Sequence, residues 1–373
     1  MQAKIYDLCT KFGIIGKLMS TKILTGGNIN TTILVEYEIN KEMKNFILQK
    51  INKYVFPNPP LVMANISKVT AYIKGKLGNV SGEMSRKVLN FYTAQNGKSF
   101  VVDEEDDFWR LCDYVENSMA FNSTTDNQLL KETGKAFGNF QSMLDGFPSQ
   151  ILGETIENFH NVPMRFNKLR AVVKKDEVGR AGLVEKETAE LFKLERIATE
   201  MAMLLKQGLL PLRVTHNDTK CNNVLFDKET KKHLCVIDLD TVMPGSMLYD
   251  FGDSIRFGAS TAAEDEIDLD KGSMDLNLFS EYTRGYLEEL GGSITEEELL
   301  LLPISAKLMT LECGVRFLTD YLQGDTYFKI HRPEHNLDRA RTQFKLVWDM
   351  EQKMNKMNEI VIKFAPSKTT PRS

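Results

Sequence analysis

No apolar run in this chain is long enough to cross a bilayer, and its first residues, MQAKIYDLCTKFGI, lack the apolar core of a secretory signal. A cytoplasmic protein without membrane contact is therefore expected. An excess of basic charge is missing too. The 47 Lys and Arg are outnumbered by 51 Asp and Glu, leaving a formal charge of -4, so no field gathers nucleic acid and any phosphate-bearing ligand is expected to be small. Cysteine is sparse: Cys9, Cys112, Cys221, Cys235 and Cys313 never form a C-x-x-C pair, which argues for reduced thiols over a disulfide frame or zinc site. Internal repeats and low-complexity linkers are also lacking. A chain of 373 residues is near the size at which single cores stop growing, so two lobes are expected.

What is present is concentrated in residues 214–252, which read VTHNDTKCNNVLFD, a short spacer, then CVIDLDTVMPGSMLYDFGD. The protein-kinase catalytic loop is written H-R-D-x-x-x-x-N, with Asp taking the proton of the acceptor hydroxyl and Asn holding magnesium. His216, Asn217, Asp218 and Asn223 reproduce that frame with Asn replacing Arg, and Lys220 stands two positions after the Asp, where it would touch the γ-phosphate. His216 is expected to brace the loop. Cys221, inside it, reads as a small packing residue. The polar run DKETKK turns a hairpin whose second strand, LCVIDLD, ends in carboxylates. A hairpin this short returns beside Asn223 at Asp238, which makes Asp238 the expected second metal ligand, with Asp240 in support. The literal Asp250, Phe251, Gly252 lies about a dozen residues further on, past a Pro244-Gly245 turn, so Asp250 is assigned to support the catalytic loop.

Residues 1–115 read as a nucleotide-binding lobe. Strands at 21–24 and 31–39 flank the turn TGGNIN, where Gly26, Gly27 and Asn28 let backbone amides approach phosphate. In NFILQKIN the register puts Gln49 where a kinase carries its phosphate-binding Lys, and Lys50 faces the other way. Either Gln49 binds phosphate as a neutral donor or the charge comes from elsewhere, for instance Lys220. An amphipathic helix is predicted over 61–76 and strands at 88–93, 99–102 and 108–115, the last ending in a hinge where the Tyr114 and Val115 backbone would read adenine. Residues 116–364 are predicted mainly helical, with helices over 126–144, 178–207, 276–290, 295–322 and 336–364 and a Thr295/Glu298 capping box. The tail 365–373 has nothing to bury. His160, His233, His331 and His335 show no metal-site spacing and read as surface or capping residues.

These residues resemble the aminoglycoside phosphotransferase and choline kinase superfamily, through RVTHNDTKCNNVLFD and IDLDTVMPGSMLYDFGDSIRFGAS. Within it, GGNINTTILV, FILQKIN, LECGVRFLTDYLQGDTYF and PEHNLDRARTQFKLV resemble the subgroup that phosphorylates N-acetylhexosamines at the anomeric position. The likeness covers nearly the whole chain. It implies an α+β, bilobal protein-kinase-like fold with a small β-rich N-terminal lobe, a larger helical C-terminal lobe and the active site in the cleft. It further implies ATP and Mg²⁺ as cofactors, a sugar acceptor bound at Asp218, Arg316 and Tyr327, and a monomer or homodimer. Gln49 in place of Lys agrees with that subgroup. Arg316 and Asp320 share a helix face, so an intrahelical ion pair is the competing reading of Arg316, and packing that of Tyr327.

Other readings stay open: a kinase of choline, homoserine or methylthioribose, or a nucleotide-binding regulator without catalysis, motivated by Gln49. Choline would require an aromatic and acidic cage, which no cluster near residues 312–328 supplies. A glycosidase using Asp238 and Asp240 as paired acids leaves the catalytic loop unexplained.

Overall fold

The computed structural model describes residues 2–25, 29–78, 81–122 and 126–367. They form two compact units, Met1–Ala120 with Gly146–Glu157 and Leu225–Pro244, and Phe121–Asp145 with Asn158–Val224 and Gly245–Ser373. The first switch of unit comes five residues after the hinge expected at Val115. The hairpin after the catalytic loop belongs by contact to the first unit.

The first unit is built on a five-stranded antiparallel sheet ordered β1-β2-β3-β5-β4, from β1 (Lys17–Leu24), β2 (Thr31–Ile39), β3 (Glu42–Lys50), β4 (Val101–Val102) and β5 (Phe108–Asp113). Alternation decides its inner face. Ile33, Val35 and Tyr37 of β2 and Phe46 and Leu48 of β3 are buried with Ile5, Leu8 and Cys9 of α1 (Gln2–Lys11), a helix the sequence did not announce. The opposite face presents Gln49, directly paired with Arg110 across β3 and β5. Helix α2 (Pro59–Leu77) starts where the Asn58 side chain accepts the Leu61 N–H and buries Val62, Met63, Ile66, Val69 and Ile73. Where two strands are predicted over 88–102, the structure has a single bridge, Phe91 to Cys112, and the two-residue β4. The Ala94 to Lys98 turn, with Gly97 at φ 78°, breaks that run into pieces too short to ladder. A second sheet of this unit, ordered β6-β8-β9, joins β6 (Ser118–Met119) to a hairpin that lies, in sequence, beyond β7 (Arg213–Thr215) of the other unit. Its strands are β8 (Val224–Asp227) and β9 (His233–Val236), the expected hairpin.

The second unit is helical: α3 (Asn127–Met143), α4 (Val162–Lys175), α5 (Glu185–Lys206), α6 (Met247–Gly258), α7 (Leu276–Leu290), α8 (Glu296–Leu322) and α9 (His335–Phe364). Helices α3 and α7 approach at backbone distance. A Cβ on Gly134 would stand 2.3 Å from Tyr282 O and one on Gly285 2.1 Å from Lys131 O, so only glycine permits the contact. The predicted capping box is present at α8, where Glu298 accepts the Thr295 N–H and Thr295 Oγ1 accepts the Glu298 N–H. Glu298 is fully buried and also receives Arg213 Nε at 2.6 Å, which pins β7 to the start of α8. Two helices lie outside the predicted set. Helix α4 follows an Asn161 cap with Pro163 in its first turn, and α6 follows a Ser246 cap. Pro244 and Gly245, read above as a turn, belong to an extended segment, Met243–Gly245.

Candidate active site

The segment after β7 is buried except at alternate positions. Thr215, His216, Asn217, Thr219, Cys221 and Asn223 are all buried, while Asp218 and Lys220 are partly exposed. The loop therefore presents a carboxylate and an ammonium on one side and is anchored on the other. The anchor is α6. Asp250, fully buried in its first turn, accepts the His216 N–H at 2.8 Å and the Asn217 N–H at 2.8 Å, and its other oxygen contact is Gln141 Nε2 at 3.0 Å. Burial pushes the Asp250 carboxyl above its ordinary range, against the opposing pull of His216 and the two backbone N–H groups. Thr219 Oγ1 donates to Asp250 O and Ser254 Oγ to Thr219 O, so one turn of α6 holds both ends of the bend. Asn217 takes the left-handed conformation at φ 65°, which Asn tolerates better than most residues. The literal Asp-Phe-Gly is thus helical: Phe251 lies in an aromatic cluster with Phe279, Tyr282 and Tyr286, and a Cβ on Gly252 would fall 2.4 Å from Ser305 O of α8.

His216 has no surface exposure, and Phe137 and Phe140 of α3 meet its ring edge-on. Asp218 is held from two sides. Lys220 Nζ lies 2.8 Å from its Oδ1, and Asn223 Nδ2 donates to its Oδ2 at 2.9 Å and to its carbonyl at 2.8 Å. Burial opposes the Lys220 charge, but Asp218 and Asp253 outweigh it and raise the Lys220 pKa, so the ammonium is fixed. Lys220 Nζ also stands 5.8 Å from the centre of the Phe257 ring, which is 40% exposed. Cys221 is buried beside Thr133 Oγ1, as a packing residue would be.

The first unit carries the remaining positions that the sequence assigns to metal and nucleotide. Asp238 is exposed and left-handed at φ 59°, just past β9, and Asp240 is buried. Asp240 forms an ion pair with Arg110, both only 2% exposed, and its second oxygen accepts Asn30 Nδ2 at 2.6 Å. Arg110 Nε donates to Gln49 Oε1 at 2.9 Å, and Gln49 Nε2 donates to Thr32 Oγ1 at 3.0 Å. The cation missing at position 49 thus stands on the adjacent strand at the directly paired position. Sequence reading overlooked Arg110, although an Arg inside the otherwise apolar FWRLC strand signals a buried partner. Lys50 lies on the other side with Asp107 at 3.1 Å. Tyr114 and Val115 follow β5. The Tyr114 N–H donates to Asn45 O, and Val115 O accepts Ser118 Oγ at 2.6 Å. Gly26, Gly27 and Asn28 lie outside the described residues.

Several expected roles change in the second unit. Arg316 and Asp320 make no ion pair among the described contacts. Asp320 is buried and turned to the following loop, accepting the N–H groups of Thr326, Tyr327 and Phe328 and the Asn336 amide. Arg316 instead stacks near Phe159 and Phe328, at 5.9 and 5.5 Å from the ring centres. Tyr327 is 69% exposed, against the packing alternative. His335 is buried, with Nε2 3.0 Å from Asp265, and His160 is paired with the buried Glu312 at 2.7 Å, so the surface half of the expectation fails for both, while His335 Nδ1 accepts the His331 N–H at the start of α9.

No described helix is long and apolar enough to cross a membrane. Among solved structures the chain is similar to a spectinomycin phosphotransferase in complex with ADP and spectinomycin, at TM-score 0.54 and 13% identity over 97% of this chain and 98% of that one. It is also similar to choline kinase from Cryptosporidium parvum, at TM-score 0.52 and 13% identity over 92% of each chain. The ethanolamine kinase of Plasmodium vivax gives TM-score 0.52 and 13% identity over 87% of this chain and 82% of that one. Identities this low speak for the fold, a mixed α+β, kinase-like arrangement with a β-rich N-terminal part and a helical C-terminal part. Residues 102–286, which contain Asp218, Lys220, Asn223, Asp238 and Asp250, match the family model described as "Phosphotransferase enzyme family". The family match over that segment supports a phosphotransferase, and the kinase-like fold agrees with it.

Proposed function

We propose that the chain transfers the γ-phosphoryl group of ATP to the anomeric hydroxyl of an N-acetylhexosamine, N-acetylglucosamine or N-acetylgalactosamine, giving the sugar 1-phosphate. The observation that carries the reaction type is Asp218, held between Lys220 Nζ at 2.8 Å and Asn223 Nδ2 at 2.9 Å with its carboxylate turned outward. In the reaction the anomeric oxygen bonds to the γ-phosphorus, the bond to the bridging oxygen of ADP breaks, and the sugar proton passes to Asp218. An anomeric hydroxyl is more acidic than an ordinary alcohol, so a carboxylate that orients it and takes the proton late is sufficient. Lys220 offsets charge on the transferring group. The assignment of the acceptor rests on the sequence resemblance, with Arg316 and the exposed Tyr327 as proposed sugar contacts. Aromatic faces near Arg316 already carry its guanidinium, which disfavours a quaternary ammonium there.

Sequence spacing assigns magnesium to Asn223 and Asp238, and each fits by its chemistry. The amide nitrogen of Asn223 is engaged by Asp218, which leaves its oxygen side for a hard cation, and Asp238 is an exposed carboxylate. Magnesium, when bound, would neutralise charge between phosphate oxygens. Asp250, buried under loop N–H groups, has no such availability. Gln49 and the Gly26, Gly27, Asn28 turn are proposed to meet the phosphates. Adenine is proposed to be read by the Tyr114 carbonyl and Val115 N–H, the groups that the bonds to Asn45 and Ser118 leave.

The decisive test is an acceptor panel of N-acetylhexosamines, neutral hexoses, choline, ethanolamine and homoserine with ATP and Mg²⁺. We expect acid-labile sugar phosphate from an N-acetylhexosamine; a panel in which none is turned over removes this reading. Substitution separates the two acidic positions. Asp238→Ala is expected to abolish Mg²⁺-dependent turnover with only a small fall in the unfolding midpoint, the cost of Ala at φ 59°, whereas Asp250→Ala lowers the midpoint much further because it orphans two buried N–H groups. Loss of Mg²⁺ affinity on changing Asp250 alone would reverse the assignment.

A further inference from the structure

The second unit buries a polar cluster that none of the assignments above uses. Glu312 of α8 is 2% exposed, and only one of its oxygens is engaged: Oε2 lies 2.7 Å from His160 Nδ1. Its Oε1 has no hydrogen-bond partner among the described residues and only a long ion pair, to Arg165 Nε of α4 at 3.7 Å. His160 Nε2 and Arg165 Nε are buried and unpartnered as well. Three such atoms at one place are unusual, because leaving a buried polar group without a partner costs about 1–3 kcal/mol. The cluster also sits close to the catalytic loop within this unit. The His160 ring packs on Tyr249 at 4.9 Å, and the next residue along α6 is Asp250, which holds the His216 and Asn217 N–H groups. Arg316, one turn past Glu312 on α8, borders the same group.

The polar atoms are of complementary kinds: a buried carboxylate oxygen that accepts, a guanidinium N–H that donates, and an imidazole nitrogen whose tautomer suits either. Such a set recognises a group that donates and accepts at neighbouring atoms, as vicinal hydroxyls or a secondary amide do. An ammonium would be repelled there by the guanidiniums of Arg165 and Arg316, which already oppose the Glu312 charge. Burial alone would raise the Glu312 pKa, but His160, Arg316 and Arg165 hold it below the ordinary carboxylate range, and the two guanidiniums also balance its charge. We propose that Glu312, His160 and Arg165 form the subsite that recognises hydroxyl or acetamido groups of an uncharged acceptor and so excludes cationic amino alcohols. This rests on the reading of the chain as a small-molecule sugar kinase.

Glu312→Gln keeps the shape of the side chain while removing its charge, and Arg165→Met tests the same subsite from a less buried position. Both are to be compared with wild type in steady-state turnover of N-acetylglucosamine and of ethanolamine, with the KM for ATP and the thermal midpoint measured alongside. Losing one hydrogen bond to a charged group predicts a rise of roughly 10- to 100-fold in the sugar KM, with kcat lowered far less and the ATP KM within about threefold. Wild type is expected to discriminate against ethanolamine. A sugar KM unchanged in both folded variants overturns the subsite while leaving a sugar kinase standing. Wild type that turns over ethanolamine and no N-acetylhexosamine overturns the subsite and the sugar reading together. If Glu312→Gln fails to fold, Arg165→Met decides.

Discussion

Asp218→Asn is expected to lower kcat by roughly 10²- to 10⁴-fold, the range of a positioned proton acceptor, while nucleotide affinity stays within a few-fold. The substitution is nearly isosteric, so the contact with Asn223 at 2.9 Å and the buried half of the loop have no steric reason to move. What is lost is basicity and the charge that partners Lys220 at 2.8 Å. Single-turnover measurements would separate the chemical step from product release, and calorimetric titration of ATP with Mg²⁺ would check binding. Near-normal single-turnover rates would show that another group takes the proton. A large parallel fall in nucleotide affinity would show that Asp218 acts mainly by placing Lys220.

The second large effect concerns stability. Arg110→Met should destabilise the protein by about 3–5 kcal/mol, because it leaves Asp240 as a buried carboxylate without its counter-charge. The damage is expected to spread through one hydrogen-bonded chain. Gln49 loses the donor on its Oε1 at 2.9 Å, and Asp240, still bonded to Asn30, must relax or take up a proton. Removing both charges in Arg110→Met/Asp240→Leu should recover much of the loss, since a buried ion pair replaced by apolar groups of similar volume is often neutral or better. Equilibrium denaturation measures both. A single-variant loss under about 1 kcal/mol would mean that the pair is solvated in solution and does not organise the loop after β9.

Much of the architecture was legible because it depends on neighbours in sequence. The alternation of Ile33, Val35 and Tyr37 reads directly as a half-buried strand, and the Thr295/Glu298 box marks the start of α8 within one residue. The loop from His216 to Asn223 was legible for the same reason: Asp218, Lys220 and Asn223 are so close in sequence that one bend brings their side chains together. Helix α6 was missed because the literal Asp-Phe-Gly and the preceding Pro-Gly dipeptide read as loop. The Ser246 cap and burial against α8 overrule that local signal. Residues 88–102 failed in the opposite direction, since strand propensity without room for a ladder gave one bridge and a two-residue strand.

By itself, then, the sequence determined the reactive loop, the hairpin that follows it and the superfamily they point to, since all three are written in spacings of a few residues. Spacing is also what proposes Asp238 over the later Asp250 for the metal, and the fold adds that Asp238 is exposed and Asp250 buried. Only the tertiary structure decided which charges are neutralised. Arg110 finds Asp240 130 positions away in the chain, Glu312 finds His160 152 positions away, and Asp320 turns from its helical neighbour Arg316 to the backbone of the next loop. The physical reason is the same in each case. A buried charge must be matched by whatever the fold brings within hydrogen-bond reach, and that partner is set by packing between elements, which no local spacing records.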